Sequence, residues 1–317
     1  METSGFRYLY GPVNSRRLGR SLGIDLVPLK ICTYDCIYCQ LGRTTRKTVK
    51  REEYFPVADI LRELEQKLSS SAAPAYLTLA GSGEPTLNSR IGELISKIKG
   101  LTRIPVAVLT NGSLLWQPEV QEALMAADLV IPSLDAGDEH LFRYVNRPHR
   151  EITFERLVGG LAAFTQRFPG AVWLEIFLLA GITGIKVEVE KIATLVKSIQ
   201  PERVQLNTVS RPPAEEFASP VSEEQMKVFA QLFDGRVEVV GGGEHQELPA
   251  PDAGAPTDDD ILALLSRRPS TIHGVAASLG MHVGEAINRL QALSDRGEIM
   301  AVRQRGAVYY ERKSRPR

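Results

Sequence analysis

The sequence predicts an α/β fold, a partial (β/α)6 barrel, followed by a small domain of helices and a hairpin. Over roughly the first 250 residues, short β-branched runs alternate with longer amphipathic stretches, which is typical of βα units in a parallel sheet. Six such units fit a partial barrel, whose functional residues lie at the carboxyl ends of the strands. The length of 317 residues allows about two domains, and a hydrophobic fraction of 43% is sufficient for a globular core.

Each predicted strand precedes a helix, and residues favoured at helix starts mark where several helices begin. Pro56 stands before the first helix, Asn88 before the second, Pro118 in the third and Thr153 before the fourth. The predicted strands are 23–27, 76–80, 106–110, 129–134, 173–179 and 204–207. The predicted helices are 57–68, 89–99, 118–125, 154–167, 187–199 and 222–233.

A stretch rich in Pro, Ala and Gly divides the chain into two predicted domains. Residues 1–247 form the barrel domain with an N-terminal extension, 248–257 the linker and 258–317 the second domain. Three helices and a hairpin predict a winged helix-turn-helix there, with the second and third helices joined around Gly280. Its elements are helices 258–266, 270–279 and 282–296 and strands 300–303 and 307–310. Its predicted core is Ile261, Leu264, Leu265, Val275, Leu279, Ile287, Leu290, Leu293 and Ile299.

The composition argues against a membrane protein or a chain governed by overall charge. The 38 basic and 38 acidic residues give a net charge of zero, so no global field draws the chain toward nucleic acid or a membrane surface. The most apolar run, 171–181, contains Glu175 and is too short to span a bilayer. No signal peptide is expected. Free cysteines without an export signal predict a location in the reducing cytoplasm.

The three cysteines are the most informative feature of the sequence. Cys32, Cys36 and Cys39 are the only cysteines, and their spacing is C-x3-C-x2-C. Three soft thiolates within eight residues can hold an iron–sulfur cluster. Three ligands leave one iron of a four-iron cluster open to a small molecule. This pattern therefore indicates a redox enzyme rather than an electron carrier.

Two other interpretations of these cysteines have less support. A disulfide framework requires an even number of cysteines, usually in a short secreted chain. A structural zinc site has four ligands, so it would need an additional one such as Tyr34, His140 or His149, and the spacing does not favour any of them.

Polar and small residues recur where the predicted strands end. The second strand is followed by Ser82, Gly83 and Glu84, and the third is followed by Asn111. The fourth strand ends at Ser133 and Asp135. The sixth ends at Asn207, and Arg211 lies beyond it. Small residues allow a ligand to approach the backbone, and a carboxylate can accept bonds from an ammonium group. Such residues also form ordinary turns. Their recurrence at successive strand ends favours a shared ligand site.

These motifs resemble the radical S-adenosylmethionine (SAM) superfamily. The similarity consists of the cysteine spacing, the aromatic Tyr38 before the last cysteine, and Ser82-Gly83-Glu84, which departs from the superfamily's Gly-Gly-Glu motif at its first residue. It covers about residues 20–240. The resemblance implies a partial barrel and a [4Fe–4S] cluster on Cys32, Cys36 and Cys39.

The resemblance also implies how the cofactor is bound and used. The amine and carboxylate of SAM would bind the fourth iron. Tyr38 is expected to contact the adenine of SAM, and Ser133 and Asp135 its ribose. The amine is expected to lie among Ser82, Gly83 and Glu84. Asn111 is a further expected contact. One electron from a flavodoxin- or ferredoxin-like reductant would cleave SAM to a 5′-deoxyadenosyl radical, which abstracts hydrogen from the substrate. No protein side chain is assigned a catalytic role.

Two further segments are similar to a narrower group within the superfamily. Residues 11–19 and 39–44 resemble the wyosine-synthesis-related, tRNA-modifying enzymes. The two-cluster wyosine-type synthases carry additional cysteines, which this sequence lacks. A pyruvate-condensing mechanism with two clusters is therefore not expected.

Basic residues near the strand ends and in the tail are candidate substrate contacts. The candidates in the first domain are Arg16, Arg17, Arg147, Asn207 and Arg211, although the arginines also suit solvated loops or structural ion pairs. In the second domain, the tail could neutralise phosphates. Its basic residues are Arg303, Arg305, Arg312, Lys313, Arg315 and Arg317, opposed by the single acid Glu311.

Three functions are compatible with the sequence. The first is a single-cluster radical enzyme that acts on a large substrate, in the first instance RNA such as tRNA. The second is radical modification or activation of a protein or peptide, since winged helices also bind polypeptides. The third is a redox-sensing, DNA-binding regulator. A sensor has no need of Glu84, Ser133 and Asp135 around an open iron, so these residues favour an enzyme.

Overall fold

The computed structural model describes residues 6–70, 72–240, 256–304 and 306–313. The strands are β1 (Leu9–Ser15), β2 (Gly19–Ile24), β3 (Ile31–Cys32), β4 (Arg46–Lys47), β5 (Tyr76–Leu79), β6 (Val106–Leu109), β7 (Leu129–Ile131), β8 (Ala171–Leu178), β9 (Arg203–Thr208), β10 (Val237–Val239), β11 (Ile299–Gln304) and β12 (Ala307–Arg312). The helices are α1 (Val57–Ser70), α2 (Ile91–Leu101), α3 (Pro118–Leu124), α4 (Glu139–Asn146), α5 (Phe154–Arg167), α6 (Lys186–Ile199), α7 (Glu223–Ala230), α8 (Asp258–Arg267), α9 (Ile272–Leu279) and α10 (Val283–Asp295).

The main sheet has eight strands in the order β1-β2-β5-β6-β7-β8-β9-β10. β1 is antiparallel to β2, and every other neighbouring pair in this sheet is parallel. The six predicted strands correspond to β2 and β5–β9, and the predicted α/β fold with a mostly parallel sheet is confirmed. Because the parallel strands follow chain order, their carboxyl ends all lie at one edge of the sheet.

The sequence did not predict β1, α4 and β10 of this domain, nor the two-residue strands β3 and β4. β1 has the sequence LYGPVNS, in which Gly11 and Pro12 indicate a turn rather than a strand. α4 is short, with eight residues, and β10 has only three. The predicted helix cap at Asn88 is wrong, because α2 begins at Ile91 with Arg90 as its N-cap. The Asn88 side chain accepts from Arg90 N at 2.9 Å through Oδ1 and donates to the Leu26 carbonyl at 3.0 Å through Nδ2.

The two faces of the sheet are buried in different ways. The helices cover one face, where Leu22, Leu77, Val108 and Leu174 are fully buried in the main core. On the opposite face, Leu18 of the β1–β2 turn packs in a smaller apolar cluster with Ala107, Leu129, Ile131 and Trp173. The turn after β1 therefore fills the helix-free side of the sheet. None of the described helices is long and apolar enough to cross a membrane.

The C-terminal part consists of α8, α9 and α10 followed by the antiparallel pair β11–β12, in the predicted order. Gly280 ends α9 with a φ of 65°, a conformation that glycine adopts readily. Most of the predicted core residues are buried, but Ile287 is 47% exposed, so that prediction is wrong. α10 turns Ala286, Leu290 and Leu293 inward, and Ile287 lies outside this face. The predicted linker, 248–257, lies outside the described residues except for its last two positions, and the domain boundaries stay predictions.

The C-terminal helices pack against β1 and the end of β2. Val13 of β1 belongs to the apolar cluster of the C-terminal part, and Asn14 Nδ2 donates to the Ala277 carbonyl at 3.0 Å. Arg267 of α8 donates to Asp25 Oδ2 through Nε at 2.9 Å and Nη2 at 2.7 Å, and its guanidinium lies 4.4 Å from the ring centre of Tyr10. The C-terminal part is thus attached along β1, with α8 beside Asp25, the residue that follows β2.

We expect Arg267→Met to destabilise the protein by about 3–5 kcal/mol, because it leaves the Asp25 carboxylate buried without its cation. Asp25 is only 7% exposed at its side chain. Urea unfolding of the purified protein measures the change. The control is Arg143→Met, which removes an exposed ion pair with Glu139 and should cost less than about 1 kcal/mol. Equal destabilisation by the two substitutions would contradict this account.

Candidate active site

The cysteine loop, residues 32–39, is held by backbone and hydroxyl contacts from two directions. The N–H groups of Asp35 and Ile37 donate to the carbonyls of Asn146 and Val145 at 3.0 and 2.9 Å, which ties the loop to the end of α4. Thr33 Oγ1 lies 2.7 Å from Ser113 Oγ, beyond the end of β6. All three cysteines are free and half-buried.

Each cysteine sulfur receives a hydrogen bond from a nitrogen of a different part of the chain. Lys30 Nζ lies 3.1 Å from Cys39 Sγ. Asn111 Nδ2 lies 3.6 Å from Cys32 Sγ and Asn146 Nδ2 lies 3.5 Å from Cys36 Sγ. Donors of this kind stabilise negative charge on metal-bound sulfur and tune the metal. The sequence singled out neither Lys30 nor Asn146.

The electrostatics indicate that the three sulfurs lie close together in a buried setting. Burial, and after it the nearby charges of Glu84 and Cys39, raise the pKa of Cys32 to about 12. Burial also raises the pKa of Cys36, as do the charges of Asp135, Cys32 and Cys39. Three neighbouring thiols with nitrogen donors suit an iron–sulfur cluster, whose positive irons hold the sulfurs as thiolates. The donor set therefore fits the predicted group.

The zinc interpretation is not supported by the geometry. Among the residues that the structure describes, no group of three or more His, Cys, Asp or Glu is arranged to hold a metal ion. His149 approaches Glu151, with Nδ1 3.9 Å from Oε1. The Tyr34 ring packs edge-on against Phe142 in the core.

Glu84 is buried and receives hydrogen bonds at both carboxylate oxygens. Oε1 accepts from Thr86 N at 3.1 Å, Thr86 Oγ1 at 2.5 Å and Thr110 Oγ1 at 2.5 Å, and Oε2 accepts from Asn111 N at 2.8 Å. Burial raises the pKa of Glu84, and these hydrogen bonds lower it. Each carboxylate oxygen has two lone pairs, so Oε2 has room for one further donor such as an ammonium group.

The turn that carries Glu84 touches the residues that directly precede the cysteine loop. A Cβ atom at Gly83 would lie 2.0 Å from the Ile31 carbonyl oxygen, so only glycine permits this approach. Lys30 N donates to the Ser82 carbonyl at 2.7 Å. The Ser82 hydroxyl and N–H both bind Asp25 Oδ1, at 3.1 and 2.9 Å. The Ser82 hydroxyl, predicted as a cofactor contact, is thus bonded within the protein.

A second buried carboxylate lies on the other side of the cysteine loop. Asp135 accepts from the Tyr38 hydroxyl, from Asn146 Nδ2 at 2.7 Å and from Phe177 N at 3.1 Å. Burial raises the pKa of Asp135 to about 6, although its hydrogen bonds to Tyr38 and Asn146 lower it. The Tyr38 ring stacks on Phe177, with centres 4.0 Å apart. Ser133 extends β7 through a bridge to Glu175.

Three of the five predicted substrate residues are already bound to carboxylates. Arg17 Nη2 lies 2.6 Å and Asn207 Nδ2 2.9 Å from Glu175 Oε1. Arg147 Nη1 lies 2.5 Å from Glu215 Oε1. The alternative of structural ion pairs thus describes Arg17 and Arg147, and Asn207 shares the carboxylate of Arg17.

The other two predicted residues have neutral partners. Arg16 Nη2 lies 3.3 Å from Ser210 Oγ, and Arg211 Nη1 lies 3.0 Å from Gln40 Oε1. Gln40 directly follows Cys39, so Arg211 borders the cysteine loop. These two guanidiniums remain available for an anionic ligand.

The residues that sequence analysis missed act through long-range contacts. Asn146 is the last residue of α4 and was missed together with this helix. Asp138 before Glu139 was the available signal, because Asp138 is the N-cap and accepts from Leu141 N. Lys30 is buried with a φ of 61°, and nothing in its local sequence indicates that its amine reaches Cys39.

Comparison with known proteins identifies the family of this chain. The family model described as Radical SAM superfamily matches residues 26–196. UPF0026 protein MJ1312 of Methanocaldococcus jannaschii is 30% identical over 308 residues, which are 95% of this chain and 94% of that protein. A protein named GTPase Obg of Brachyspira hyodysenteriae is 38% identical over 310 residues, but this chain spans only 45% of its length.

A more distant relative and a solved structure share part of the chain. A probable dual-specificity RNA methyltransferase RlmN of Pelotomaculum thermopropionicum is 25% identical over 213 residues, 64% of this chain and 55% of that protein. The crystal structure of a radical SAM methyltransferase from Sphaerobacter thermophilus has a TM-score of 0.54 at 18% identity, covering 69% of this chain and 66% of that one. The structural likeness shows the fold.

Gly83→Ala should prevent normal assembly of the iron–sulfur cluster, because the added methyl group would displace the Ile31 carbonyl and with it the cysteine loop. We expect iron and sulfide per protein to fall several-fold after anaerobic reconstitution. The matched control is Gly100→Ala in α2, where a Cβ meets nothing within 4 Å and alanine should stabilise the helix by about 0.5–1 kcal/mol. Full iron content in Gly83→Ala would refute this role.

Lys30→Met should lower the reduction potential of the cluster, because a buried positive charge beside Cys39 favours the reduced form. Two unit charges about 6 Å apart interact by ~3 kcal/mol at an effective dielectric constant of about 20, which is on the order of 100 mV for one electron. A redox titration followed by electron paramagnetic resonance measures it. Lys50→Met, at an exposed side chain, is the control. Identical potentials in the parent and Lys30→Met would disprove the effect.

Proposed function

The chain belongs to the radical SAM superfamily and to the family of UPF0026 proteins, and we propose that it is a radical enzyme that modifies RNA. Membership makes it an enzyme that uses a [4Fe–4S] cluster and SAM, and such enzymes generally need a reductant. When bound, this pair supplies a 5′-deoxyadenosyl radical that abstracts hydrogen from the substrate. The wyosine-related subgroup and the flavodoxin- or ferredoxin-like donor stay predictions.

We assign the cofactor contacts to the side chains that surround the cysteine loop. Cys32, Cys36 and Cys39 would hold the cluster, and Glu84 with Gly83 would receive the methionine amine. On the other side, Asp135 with Ser133 would face the ribose, and Tyr38 would lie by the adenine. Asn111 would act mainly through Glu84 and Cys32, to which it donates.

One observation carries the enzyme proposal. Asn111 donates to both Glu84 and Cys32, and Asn146 donates to both Asp135 and Cys36, so a buried carboxylate lies beside each of these two sulfurs. Two buried carboxylates beside a cysteine loop are costly unless a bound ligand or metal compensates their charge. A cationic cofactor with an amine and a ribose supplies such partners. A regulator that only reports the state of a cluster does not require them.

The C-terminal part supports RNA as the substrate class. We propose that α8, α9, α10 and the β11–β12 hairpin form a winged helix-turn-helix whose hairpin meets phosphates. Arg303, Arg312 and Lys313 are exposed there; Arg305, Arg315 and Arg317 lie outside the described residues. The similarity to an RNA methyltransferase points to the same class of substrate.

The hairpin suits phosphates better than α10 does. Arg289 of α10 is paired with Glu285 at 2.8 Å, and the neighbouring Arg296 is paired with Asp258 at 2.7 Å and Glu298 at 2.6 Å. These pairs neutralise the guanidiniums that a recognition helix would present. The proposed RNA contact is therefore the hairpin rather than the face of α10.

The test is release of 5′-deoxyadenosine by the reconstituted, chemically reduced protein with SAM. We expect slow release alone and faster release with bulk tRNA. Release that bulk tRNA leaves unchanged, but that a peptide pool accelerates, would replace RNA by a polypeptide substrate. No release from protein with a full cluster would favour the regulator.

Glu84→Gln tests the cofactor site within the same assay. Removing the carboxylate charge should weaken SAM binding about 10- to 100-fold, which is the effect of losing a hydrogen bond between charged groups. The control is Glu93→Gln, an exposed carboxylate paired with Arg90 and Lys97. Parental SAM affinity in Glu84→Gln with a full iron content would show that the amine binds elsewhere.

A further inference from the structure

The junction between the sheet and the C-terminal part carries positive charge that the protein does not neutralise. Arg16 lies in the turn after β1, Arg211 beyond β9, and Arg268 directly after α8. In the part of the chain that the structure describes, none of the three has a carboxylate oxygen within 4.0 Å. Their side-chain partners are the neutral oxygens of Ser210, Gln40 and Ser278.

The three guanidiniums act on one another. Burial lowers the pKa of Arg211, and the positive charges of Arg268, Arg16 and Arg17 lower it further. Burial also lowers the pKa of Arg268, and the charge of Arg16 adds to this effect. Since arginine remains protonated in proteins, the three groups form a true cluster of positive charge. Glu175, whose charge acts on Arg16, is already shared by Arg17 and Asn207.

One donor of this cluster is buried without a partner. Arg268 Nε has no hydrogen-bond acceptor although it is enclosed, while Arg268 Nη2 donates to Ser278 Oγ at 2.9 Å. A buried guanidinium N–H without an acceptor is costly, and a ligand with several acceptor oxygens would remove this cost. The fork geometry of arginine suits phosphate in particular.

The position of the cluster relates it to the cysteine loop. Arg211 binds Gln40, next to Cys39, and Tyr309 of the hairpin is near enough to affect the pKa of Arg211. An anion held here would bridge the sheet and the C-terminal part, beside the reaction centre.

We propose that Arg16, Arg211 and Arg268 form a phosphate-binding site that holds the backbone of the RNA substrate beside the cysteine loop. This inference rests on the proposed RNA function. It adds a contact that spans both parts of the chain and assigns Arg268 to substrate binding. Arg17 and Arg147 have no part in the site, because Glu175 and Glu215 neutralise them.

The experiment compares Arg211→Gln and Arg268→Gln with Arg62→Gln, an exposed arginine of α1 that is paired with Asp59. Binding of bulk tRNA to the reconstituted full-length protein is measured over a range of salt concentrations. We expect each of the first two substitutions to weaken binding about 10-fold, equivalent to 1.4 kcal/mol. The slope of log K against log salt should fall by ~0.7–0.9 for each phosphate that the variant no longer neutralises. An effect no larger than that of Arg62→Gln would overturn the proposal.

Two probes separate this site from its alternatives. One probe is inorganic pyrophosphate. If tRNA does not bind the parent protein but pyrophosphate does, and the double variant Arg211→Gln/Arg268→Gln abolishes pyrophosphate binding, then the RNA function is wrong. The phosphate-binding site is correct in that case. A loss of SAM affinity as large as the loss of tRNA affinity would assign the guanidiniums to the methionine carboxylate and overturn the proposal. Arg211→Gln alone, which removes a half-buried side chain with a neutral partner, is decisive if Arg268→Gln does not fold.

Discussion

The placement of three half-buried cysteines in one short loop is the constraint on which the rest of this structure depends. Burial raises the pKa of Cys32 and Cys36, so the thiolate form that binds iron is unfavourable unless other groups stabilise it. The protein supplies three nitrogen donors, from Lys30, Asn111 and Asn146. Two of them are far from the loop in sequence, so the ends of β6 and α4 must converge on it. Because the parallel strands follow one another in chain order, the segments after their carboxyl ends lie at the same edge of the sheet, and the donors converge there.

The same donors also connect the two carboxylates to the loop. Asn111 offers its backbone N–H to Glu84 and its amide to Cys32, and Asn146 offers its amide to both Asp135 and Cys36. Each asparagine thus fixes one sulfur relative to one carboxylate. A displacement of either strand end would alter the cysteine loop and the proposed cofactor contacts together. Asp25 accepts hydrogen bonds from Ser82 at Oδ1 and from Arg267 at Oδ2. It therefore links α8 of the C-terminal part to the turn that carries Glu84. Substrate bound to the C-terminal part would therefore contact a framework that also shapes the site.

Local signals were sufficient for elements whose burial pattern is periodic. α5 begins and ends at the predicted residues, because Thr153 caps it and its apolar residues recur on one face. The cysteine spacing likewise identified the loop. Local signals failed for β1, whose Gly11 and Pro12 resemble a turn, and for Ile287, which the apolar pattern placed in the core. They could not reveal the sulfur donors, since Asn111 and Asn146 lie 79 and 110 residues from their cysteines.

The arrangement of charge shows why a net charge of zero does not exclude a local site for an anion. The sequence did not distinguish Arg17 and Arg147 from Arg16 and Arg211, because all four were candidate substrate contacts. In the structure, carboxylates neutralise Arg17 and Arg147, whereas Arg16 and Arg211 are bound to neutral oxygens. Charge pairs attract weakly over distances beyond about 10 Å at physiological salt. A distant excess of acid therefore does not cancel a compact group of guanidiniums. Recognition of an anion depends on which arginines the fold leaves unpaired, and only the folded structure contains that information.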